Sequence, residues 1–361
     1  MSHPSLNQKK IVIIDTQVPH EQNNKFFDPA SIRDNRFLWP WCYLYEECRK
    51  QGIQLVTSDI FLSLPNPPPG AIFISVHTAS QDTKRLMRAG ARPAVIFGYE
   101  NPLYACRFYF NLKSYTRNYG HAFVWRGAKD RLPPGVIFHD AAYRPHAYTQ
   151  SESIRSNFSQ KKFLAIVSRN HRLHKLRKLY VWTMNRIRPL PTLLERDLYL
   201  DRLEALDYFS KNSEIDLYGA GWTKPVKYTG GHFSASIQKS YRGYVRDKLA
   251  TLRNYKFCLC FENVVFGGLV SEKIIDCLFA GCLPIYFGAP DITDYIPSNV
   301  FIDLRNFKDY QELNIYLKNM NEKTYGQYLE NINRFTRSKE GYNFTQEKFA
   351  RDLIKTFKSY F

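Results

Sequence analysis

The sequence has no run of 18 apolar residues, so it predicts no membrane-spanning helix. Its N-terminal stretch, MSHPSLNQKKIVIID, goes from polar positions directly into a strand-like run and lacks the apolar core of a signal peptide. The seven cysteines show neither paired CxxC spacing nor a small disulfide framework. We therefore expect a cytoplasmic protein, in which Cys258 and Cys260 are small core residues of a strand.

Negative charge is scarce in this sequence. The chain has 33 Asp and Glu against 51 Lys and Arg, and its formal net charge is +18. Such a charge requires a partner or a surface of opposite sign, for which anionic lipid, nucleotide phosphates and nucleic acid are the candidates. No zinc-finger, homeodomain or RNP-like signature accompanies the charge, which argues against nucleic acid as the partner.

The basic residues are densest in residues 168–188, SRNHRLHKLRKLYVWTMNRIR. This pattern is typical of an interfacial helix, so peripheral contact with an anionic membrane, at its inner face, is one prediction. An ordinary surface helix that packs on its own domain is the alternative. The apolar residues recur at spacings of three and four, opposite a basic face: Leu173, Leu176, Tyr180, Met184 and Ile187.

The length of 361 residues exceeds what one core usually fills, so two domains are expected. Strand-like and helix-like segments alternate in both halves, which predicts an α/β fold with parallel sheets. The polar run TQSESIRSNFSQ marks the domain boundary. We expect an N-terminal domain in residues 1–155, a C-terminal domain in residues 156–340, and a last segment, 341–361, that crosses back to the first domain.

The predicted elements follow from the spacing of apolar residues. The predicted strands are 10–15, 53–58, 71–76 and 93–99 in the first half, and 161–168, 214–221, 256–261 and 283–288 in the second. The predicted helices, besides the basic segment, are 41–51, 80–90, 194–210, 241–254, one that begins at 272, and 344–361.

The most informative segment is residues 255–297, YKFCLCFENVVFGGLVSEKIIDCLFAGCLPIYFGAPDITDYIP. It indicates a strand, a loop with two adjacent glycines, a helix that Ser271 caps and Gly281 closes, and a second strand. In doubly wound folds, such a loop at the carboxyl end of a strand binds ligands. Lys273 in the first helical turn opposes the helix dipole unless an anion binds there, which favours a bound diphosphate over a plain surface lysine.

The triplet FEN, followed by SEKI, AG, PIY, GAP and YIP in this order and spacing, resembles the family 10 glycosyltransferases, the α-1,3/1,4-fucosyltransferases. The resemblance is dense over residues 255–302. It implies a GT-B fold, in which two Rossmann-like domains face a central cleft, and an inverting transfer of L-fucose from GDP-fucose without a metal. It also implies a glycan acceptor of the galactose–N-acetylglucosamine type, as on lipopolysaccharide. A chain without an N-terminal anchor fits a soluble, bacterial-type member.

We expect cationic side chains to stabilise the departing diphosphate. The sequence has no Asp-x-Asp pair, with which metal-dependent transferases usually bind their ion, so we expect no metal cofactor. Lys273 is the first candidate for this role. Arg202 best matches the family arginine that reaches the donor phosphates, and Arg196 is its rival.

Four further residues complete the donor site that the resemblance implies. Glu272 is similar to the family glutamate that hydrogen-bonds the ribose, and Asn263 of the FEN triplet matches another donor contact. Gly268 in the loop and Ser271 at the helix start belong to the same site. At Leu269 the family usually has a tyrosine that contacts the nucleotide, which leaves the identity of the donor open.

The general base is expected from the first half of the chain. Glu100 follows the predicted strand 93–99 directly, and Pro102 biases the chain to leave the sheet just after it. The GYENP segment resembles the family's Glu-Ser-Pro element, whose glutamate is the proposed base. A downstream histidine is the alternative base, or shapes the acceptor pocket: His121, His139 or His146.

The sequence thus predicts an inverting fucosyltransferase with Glu100 as base and with Lys and Arg side chains around the leaving GDP. Two alternatives remain. One is a GT-B transferase that uses a different nucleotide sugar. The other is a non-catalytic basic protein that binds a membrane or nucleic acid.

Overall fold

The structure is a computed structural model in which the chain divides into two units by its internal contacts. The N-terminal unit comprises Met1–Thr149, Arg188–Pro191 and Asn343–Phe361, and the C-terminal unit comprises Gln150–Ile187 and Thr192–Tyr342. The structure describes residues 10–16, 18–32, 37–76, 81–143, 146–149, 158–170, 175–190, 193, 197–212, 214–223, 227–228, 231–232 and 235–361.

The N-terminal unit is built on a six-stranded parallel sheet. Its strands are β1 (Ile11–Asp15), β2 (Gln54–Thr57), β3 (Ile72–Ser75), β4 (Arg92–Phe97), β5 (His121–Val124) and β6 (Ile137–Asp140). They pair in the order β2-β1-β3-β4-β5-β6. Strands β1 and β3 are buried along their whole length, as expected for continuous apolar runs in a parallel sheet that is covered on both faces.

The helices of the N-terminal unit include the last helix of the chain. They are α1 (Pro29–Ile32), α2 (Trp39–Lys50), α3 (Ser58–Leu62), α4 (Gln81–Arg88), α5 (Cys106–Phe110), α6 (Leu112–Thr116) and α15 (Gln346–Lys358), with helices numbered in chain order. Trp41 of α2 contacts Phe97 of β4 and Phe349 of α15, at ring-centroid distances of 5.5 and 5.1 Å. The last helix therefore contributes to the core of the first unit.

The C-terminal unit is built on a five-stranded parallel sheet and a short two-stranded one. The strands are β7 (Lys162–Val167), β8 (Ile215–Tyr218), β9 (Lys227–Tyr228), β10 (Gly231–His232), β11 (Tyr255–Phe261), β12 (Leu283–Phe287) and β13 (Ile302–Asp303). The larger sheet has the order β13-β12-β11-β7-β8. After β7 the chain builds β8 on one side and then β11 on the other, so the strand order reverses between β7 and β11.

The helices of the C-terminal unit cover this sheet. They are α7 (Lys175–Ile187), α8 (Tyr199–Lys211), α9 (Ala235–Ser240), α10 (Lys248–Leu252), α11 (Glu272–Ala280), α12 (Tyr310–Asn319), α13 (Glu322–Arg337) and α14 (Lys339–Tyr342). Helix α11 has the predicted ends, because the Ser271 side chain accepts a bond from the amide of Lys273 and Gly281 adopts φ 68° at the C-cap. Over the described residues, no helix has the length and apolar character needed to cross a membrane.

Two differences from the predicted elements have physical causes. Strands β5 and β6 were not predicted, since each has four residues and β6 at the sheet edge is exposed or half-buried, without an apolar run. The predicted helix 241–254 was too long: only Lys248–Leu252 is helical. Gly243 has φ 102°, which a right-handed helix excludes, and Asp247 caps the shorter helix through the amide of Ala250.

Candidate functional site

A small pocket with cationic side chains in its wall lies in the C-terminal unit where the strand order reverses, at the carboxyl ends of β7 and β11. This is the position at which open parallel sheets bind their ligands. Three cationic side chains from three helices meet there. The lining residues are Ile166, Val167, Ser168, Arg202, Lys248, Cys258, Leu259, Cys260, Phe261 and Lys273.

Glu262, the first residue after β11, organises the pocket wall. Its side chain is fully buried. Its carboxylate accepts bonds from the amide of Ser271 at 2.8 Å and from the Ser271 hydroxyl at 2.6 Å. The carboxylate also accepts a bond from the Lys273 ammonium at 3.2 Å, so Glu262 is the internal partner of a cation.

Lys273 points into the pocket and not to bulk solvent. Its side chain is 20% exposed, and its ammonium lies 3.2 Å from Glu262 and 3.7 Å from Glu272. The ammonium also donates to the Ser271 hydroxyl at 3.0 Å. A lysine in the first turn of a helix is disfavoured by the helix dipole, so these acceptors hold its charge at a place where an anion binds favourably.

Arg202 reaches the same pocket from α8. It is 5% exposed, and its guanidinium donates to the carbonyl oxygens of Phe261 at 3.5 Å and Glu262 at 3.3 Å. It also donates to the side-chain oxygen of Asn263 at 3.4 Å. The structure therefore brings together the predicted residues Arg202, Asn263 and Lys273. The rival Arg196 lies outside the described residues.

Lys248 is a pocket residue that the sequence reasoning missed. It lies at the start of α10, and its ammonium is 2.6 Å from the carboxylate of Asp276 in α11. Burial by itself lowers the pKa of Lys248, but the negative charges of Asp276 and Glu272 outweigh it and raise the pKa well above its usual range, so the group stays charged. The available signal was Asp276, a buried carboxylate inside the apolar helix EKIIDCLFA, which requires a cation beside it.

The remaining residues that were predicted for a donor site differ in their exposure to solvent. Gly268 has φ 71°, and its amide donates to Asp291 at 2.8 Å, so its place in the loop is structural in this structure. Ser271 is buried as the cap of α11, whereas Glu272 is 46% exposed beside Lys273. Leu269 is buried and is not among the pocket-lining residues, so it adds packing to the loop.

The thiols of Cys258 and Cys260, which line the pocket, and that of Cys277 all lie within 4.8 Å of one another and are buried. Among the described residues they form the group whose side chains could surround a metal ion. Burial raises the pKa of the Cys260 and Cys277 thiols, which favours the protonated form. Protonated buried thiols act as small apolar side chains, in agreement with the core role predicted for Cys258 and Cys260.

Glu100 and the histidines lie in the N-terminal unit. Glu100 is exposed three residues beyond β4, and its carbonyl oxygen accepts a bond from the Trp125 indole at 3.1 Å. His121 is the first residue of β5, so it lies at the amino ends of the strands, whereas Glu100 follows the carboxyl end of β4. The ring nitrogen of His121 is 2.9 Å from that of His139. His146 is buried with its ring nitrogen 3.3 Å from the Ala142 carbonyl. Glu100, unlike His121, is therefore at the ligand-binding edge of its sheet.

The chain is similar to known glycosyltransferases in sequence. The family described as Glycosyltransferase family 10 (fucosyltransferase) C-term matches residues 158–354, more than half of the chain. An alpha-(1,3)-fucosyltransferase of Helicobacter pylori is 38% identical over 90 residues, which cover 25% of this chain and 18% of the relative. A GDP-fucose protein O-fucosyltransferase 3 of Xenopus tropicalis is 40% identical over 82 residues, 22% of this chain and 17% of the relative. The chain thus matches less than a fifth of these relatives' length.

Solved structures show the fold. The crystal structure of an alpha1,3-fucosyltransferase has a TM-score of 0.51 and 16% identity, and the match covers 99% of this chain and 93% of that one. Anabaena Alr3699/HepE in complex with UDP has a TM-score of 0.57 and 10% identity, with 97% and 100% of the two chains covered. The two parallel-sheet units are the pair that defines the GT-B class. On the match over residues 158–354, the chain belongs to glycosyltransferase family 10.

Proposed function

We propose that this protein transfers L-fucose from GDP-fucose to a hydroxyl of an acceptor glycan with inversion, as an α-1,3/1,4-fucosyltransferase. The observation that carries the proposal is the convergence of Arg202, Lys248 and Lys273 on one pocket at the switch point of the C-terminal sheet. That sheet lies within the segment that matches the family. The donor is inferred from the family and from relatives named for GDP-fucose.

The cations have a definite task in this reaction. As the bond between fucose C1 and the phosphate oxygen breaks, negative charge builds on the departing diphosphate of GDP. Lys273, Arg202 and Lys248 are held in place before the reaction by buried acceptors, so they stabilise this charge with little reorganisation. This set of fixed cations supports a transfer that requires no metal ion.

The acceptor hydroxyl must lose a proton as it attacks. In our proposal its oxygen forms the new bond to C1 on the face opposite the leaving GDP, and the proton passes to the carboxylate of Glu100. A β-linked donor then gives an α-linked product. Glu100 is supported by its place at the carboxyl edge of the N-terminal sheet, and a general base of this kind contributes about 10²–10⁴ in rate.

A donor panel tests the proposed substrate. Purified protein is incubated with GDP-fucose, GDP-mannose, UDP-galactose and CMP-sialic acid, and nucleotide release is measured with and without a galactose–N-acetylglucosamine acceptor and with chelator. We expect turnover of GDP-fucose alone, unchanged by chelator. Turnover of another donor in its place would favour the second candidate, a GT-B transferase for a different nucleotide sugar, which Leu269 keeps open because it provides no ring or hydroxyl to a base.

Two pairs of variants test the proposed roles of the side chains. Lys273→Met should lower kcat/KM about 100-fold, because it removes one fixed charge from the leaving group. The exposed Lys308→Met is the matched control and should leave kcat/KM unchanged.

Glu100→Gln should lower kcat by at least about 100-fold, because it removes the proposed general base. Its control is Glu46→Gln on α2 of the same unit, and full activity of Glu100→Gln would refute the assignment of the base.

A further inference from the structure

Helix α7 exposes more large hydrophobic side chains than any other helix that the structure describes. The side chains of Leu176, Leu179 and Ile187 are 71%, 59% and 67% exposed, and Trp182 is 48% exposed. Of the eleven large hydrophobic residues that are exposed in the described part of the chain, these four lie on 13 consecutive residues. Of the predicted stripe, Leu176 and Ile187 are exposed, Tyr180 and Met184 are half-buried, and Leu173 lies outside the described residues.

Three of the four exposed apolar residues share one face of a helix whose other face packs on its own unit. Leu176, Leu179 and Ile187 are separated by three and eight residues, which brings them to one side of an α-helix. On the opposite side, Val181 is fully buried and the Lys178 ammonium lies 3.0 Å from Asp197. The helix is thus anchored to its own unit while it presents an apolar stripe outward.

The charge around this stripe has a single sign. Residues 168–188 contain seven Lys and Arg and no Asp or Glu. In α7, Lys175, Arg177 and Arg186 are exposed. The Arg186 guanidinium lies 3.7 Å from the centre of the Trp182 ring, which gives the indole a cationic neighbour at the edge of the apolar stripe. Aromatic rings and long basic side chains in this arrangement are typical of the boundary between lipid tails and headgroups.

We propose that α7 docks the protein on an anionic lipid bilayer, parallel to its surface. Leu176, Leu179 and Ile187 enter the interface, and the exposed basic residues contact the phosphate groups. Each Lys or Arg near such a surface adds attraction, and apolar burial adds to it. A second copy of the chain is disfavoured as the partner because it would place two basic helices together. Nucleic acid offers the charge but no apolar layer. The docking is independent of the proposed transfer reaction.

Vesicle flotation tests the proposal with matched variants. The full chain is mixed with vesicles of phosphatidylcholine alone or of phosphatidylcholine with phosphatidylglycerol. We expect the wild type to float only with the mixed vesicles. Leu176→Glu/Ile187→Glu should lower the partition coefficient on the order of 100-fold, because two interfacial side chains become anionic. The control is Tyr244→Glu/Ile315→Glu, which changes two residues of the same unit that are 69% and 54% exposed, and it should lower partition far less.

Fluorescence gives a second readout on the same samples. Mixed vesicles should shift the emission of the wild type to shorter wavelength, and Trp182→Phe should remove that shift, since the ring enters the interface. The proposal would be overturned if both double variants lost vesicle partition to the same extent. It would also be overturned if the wild type bound vesicles of pure phosphatidylcholine as well as the mixed vesicles. Concentration-dependent dimers that only Leu176→Glu/Ile187→Glu abolishes would identify a second copy as the partner and would also overturn it. None of these results depends on fucose transfer, so the two proposals fail separately.

Discussion

Among single residues, the buried carboxylate of Glu262 determines how the pocket at the carboxyl ends of β7 and β11 is arranged. It binds the backbone and hydroxyl of Ser271 and the ammonium of Lys273, and so joins the end of β11 to the start of α11. A carboxylate with one charged and two polar donors is stable in the interior, but its loss leaves a partly buried lysine without its counter-charge. The FEN triplet alone could not predict this role, because the partners of Glu262, Ser271 and Lys273, lie nine and eleven residues later in the chain.

Substitution of Glu262 should therefore affect stability as well as activity. We expect Glu262→Gln to lower the free energy of unfolding by about 3 kcal/mol, because an amide cannot accept all three bonds and does not balance Lys273. The matched control is Glu272→Gln, which changes an exposed carboxylate that also lies near the Lys273 ammonium. It should alter the free energy of unfolding by less than about 0.5 kcal/mol. Urea denaturation measures both variants. An equal effect of the two would contradict the structural role of Glu262.

The histidine pair of the N-terminal unit predicts a pH dependence of stability. Burial, with a smaller contribution from the charge of His121, lowers the pKa of His139 to about 4. An unfolded histidine titrates near pH 6.5, so between about pH 6.5 and 4 the unfolded chain binds more protons than the folded one. His139 therefore makes its full contribution to the free energy of unfolding above about pH 6.5, and this contribution is lost as the pH falls from about 6.5 to 4.

The expected size of this effect is modest and measurable. The free energy of unfolding of the wild type should fall by about 1–2 kcal/mol more than that of His139→Gln between pH 7 and pH 5. Asp352 and Lys348 also face His139, with opposite effects on its pKa, and are unchanged in this comparison. Identical pH slopes for the wild type and the variant would show that His139 is not responsible.

Among the elements, α11 shows how local sequence positions a site. Ser271 fixes its first turn beside Glu262, and Gly281 ends it in the left-handed region, so that β12 begins two residues later. Each of these features was predictable from the residue types, because capping and left-handed closure are local. The partners of α11 were not, since Lys248 meets Asp276 only after the chain has passed through β11.

A pair of glycine variants tests the closure of α11. Gly281→Ala should lower the free energy of unfolding by about 1 kcal/mol, because alanine is strained at φ 68°. At Gly326, inside α13, an added Cβ would meet no atom within 4 Å beyond the adjoining residues and the helix's own backbone, so Gly326→Ala should raise stability by up to about 1 kcal/mol. Thermal denaturation measures both. Effects of the same sign would contradict the left-handed cap.

For the whole molecule, alternating strand and helix segments predicted two parallel sheets, and the sheets have six and five strands. The buried runs such as IVIID and YKFCLCF were recognisable because parallel strands are apolar on both faces. The edge strand β6, with residues that are exposed or half-buried, gave no such signal. The candidate site was predictable where it rests on motif residues and not where it rests on long-range pairs such as Lys248–Asp276.

The central claim is that cations of the C-terminal unit hold a nucleotide diphosphate at the carboxyl ends of β7 and β11. A crystal structure of the protein with GDP tests it most directly. We predict that the diphosphate oxygens lie within hydrogen-bonding distance, about 3 Å, of the Lys273 ammonium and the Arg202 guanidinium. GDP bound elsewhere, with Lys273 still bonded only to Glu262 and Ser271, would contradict the account.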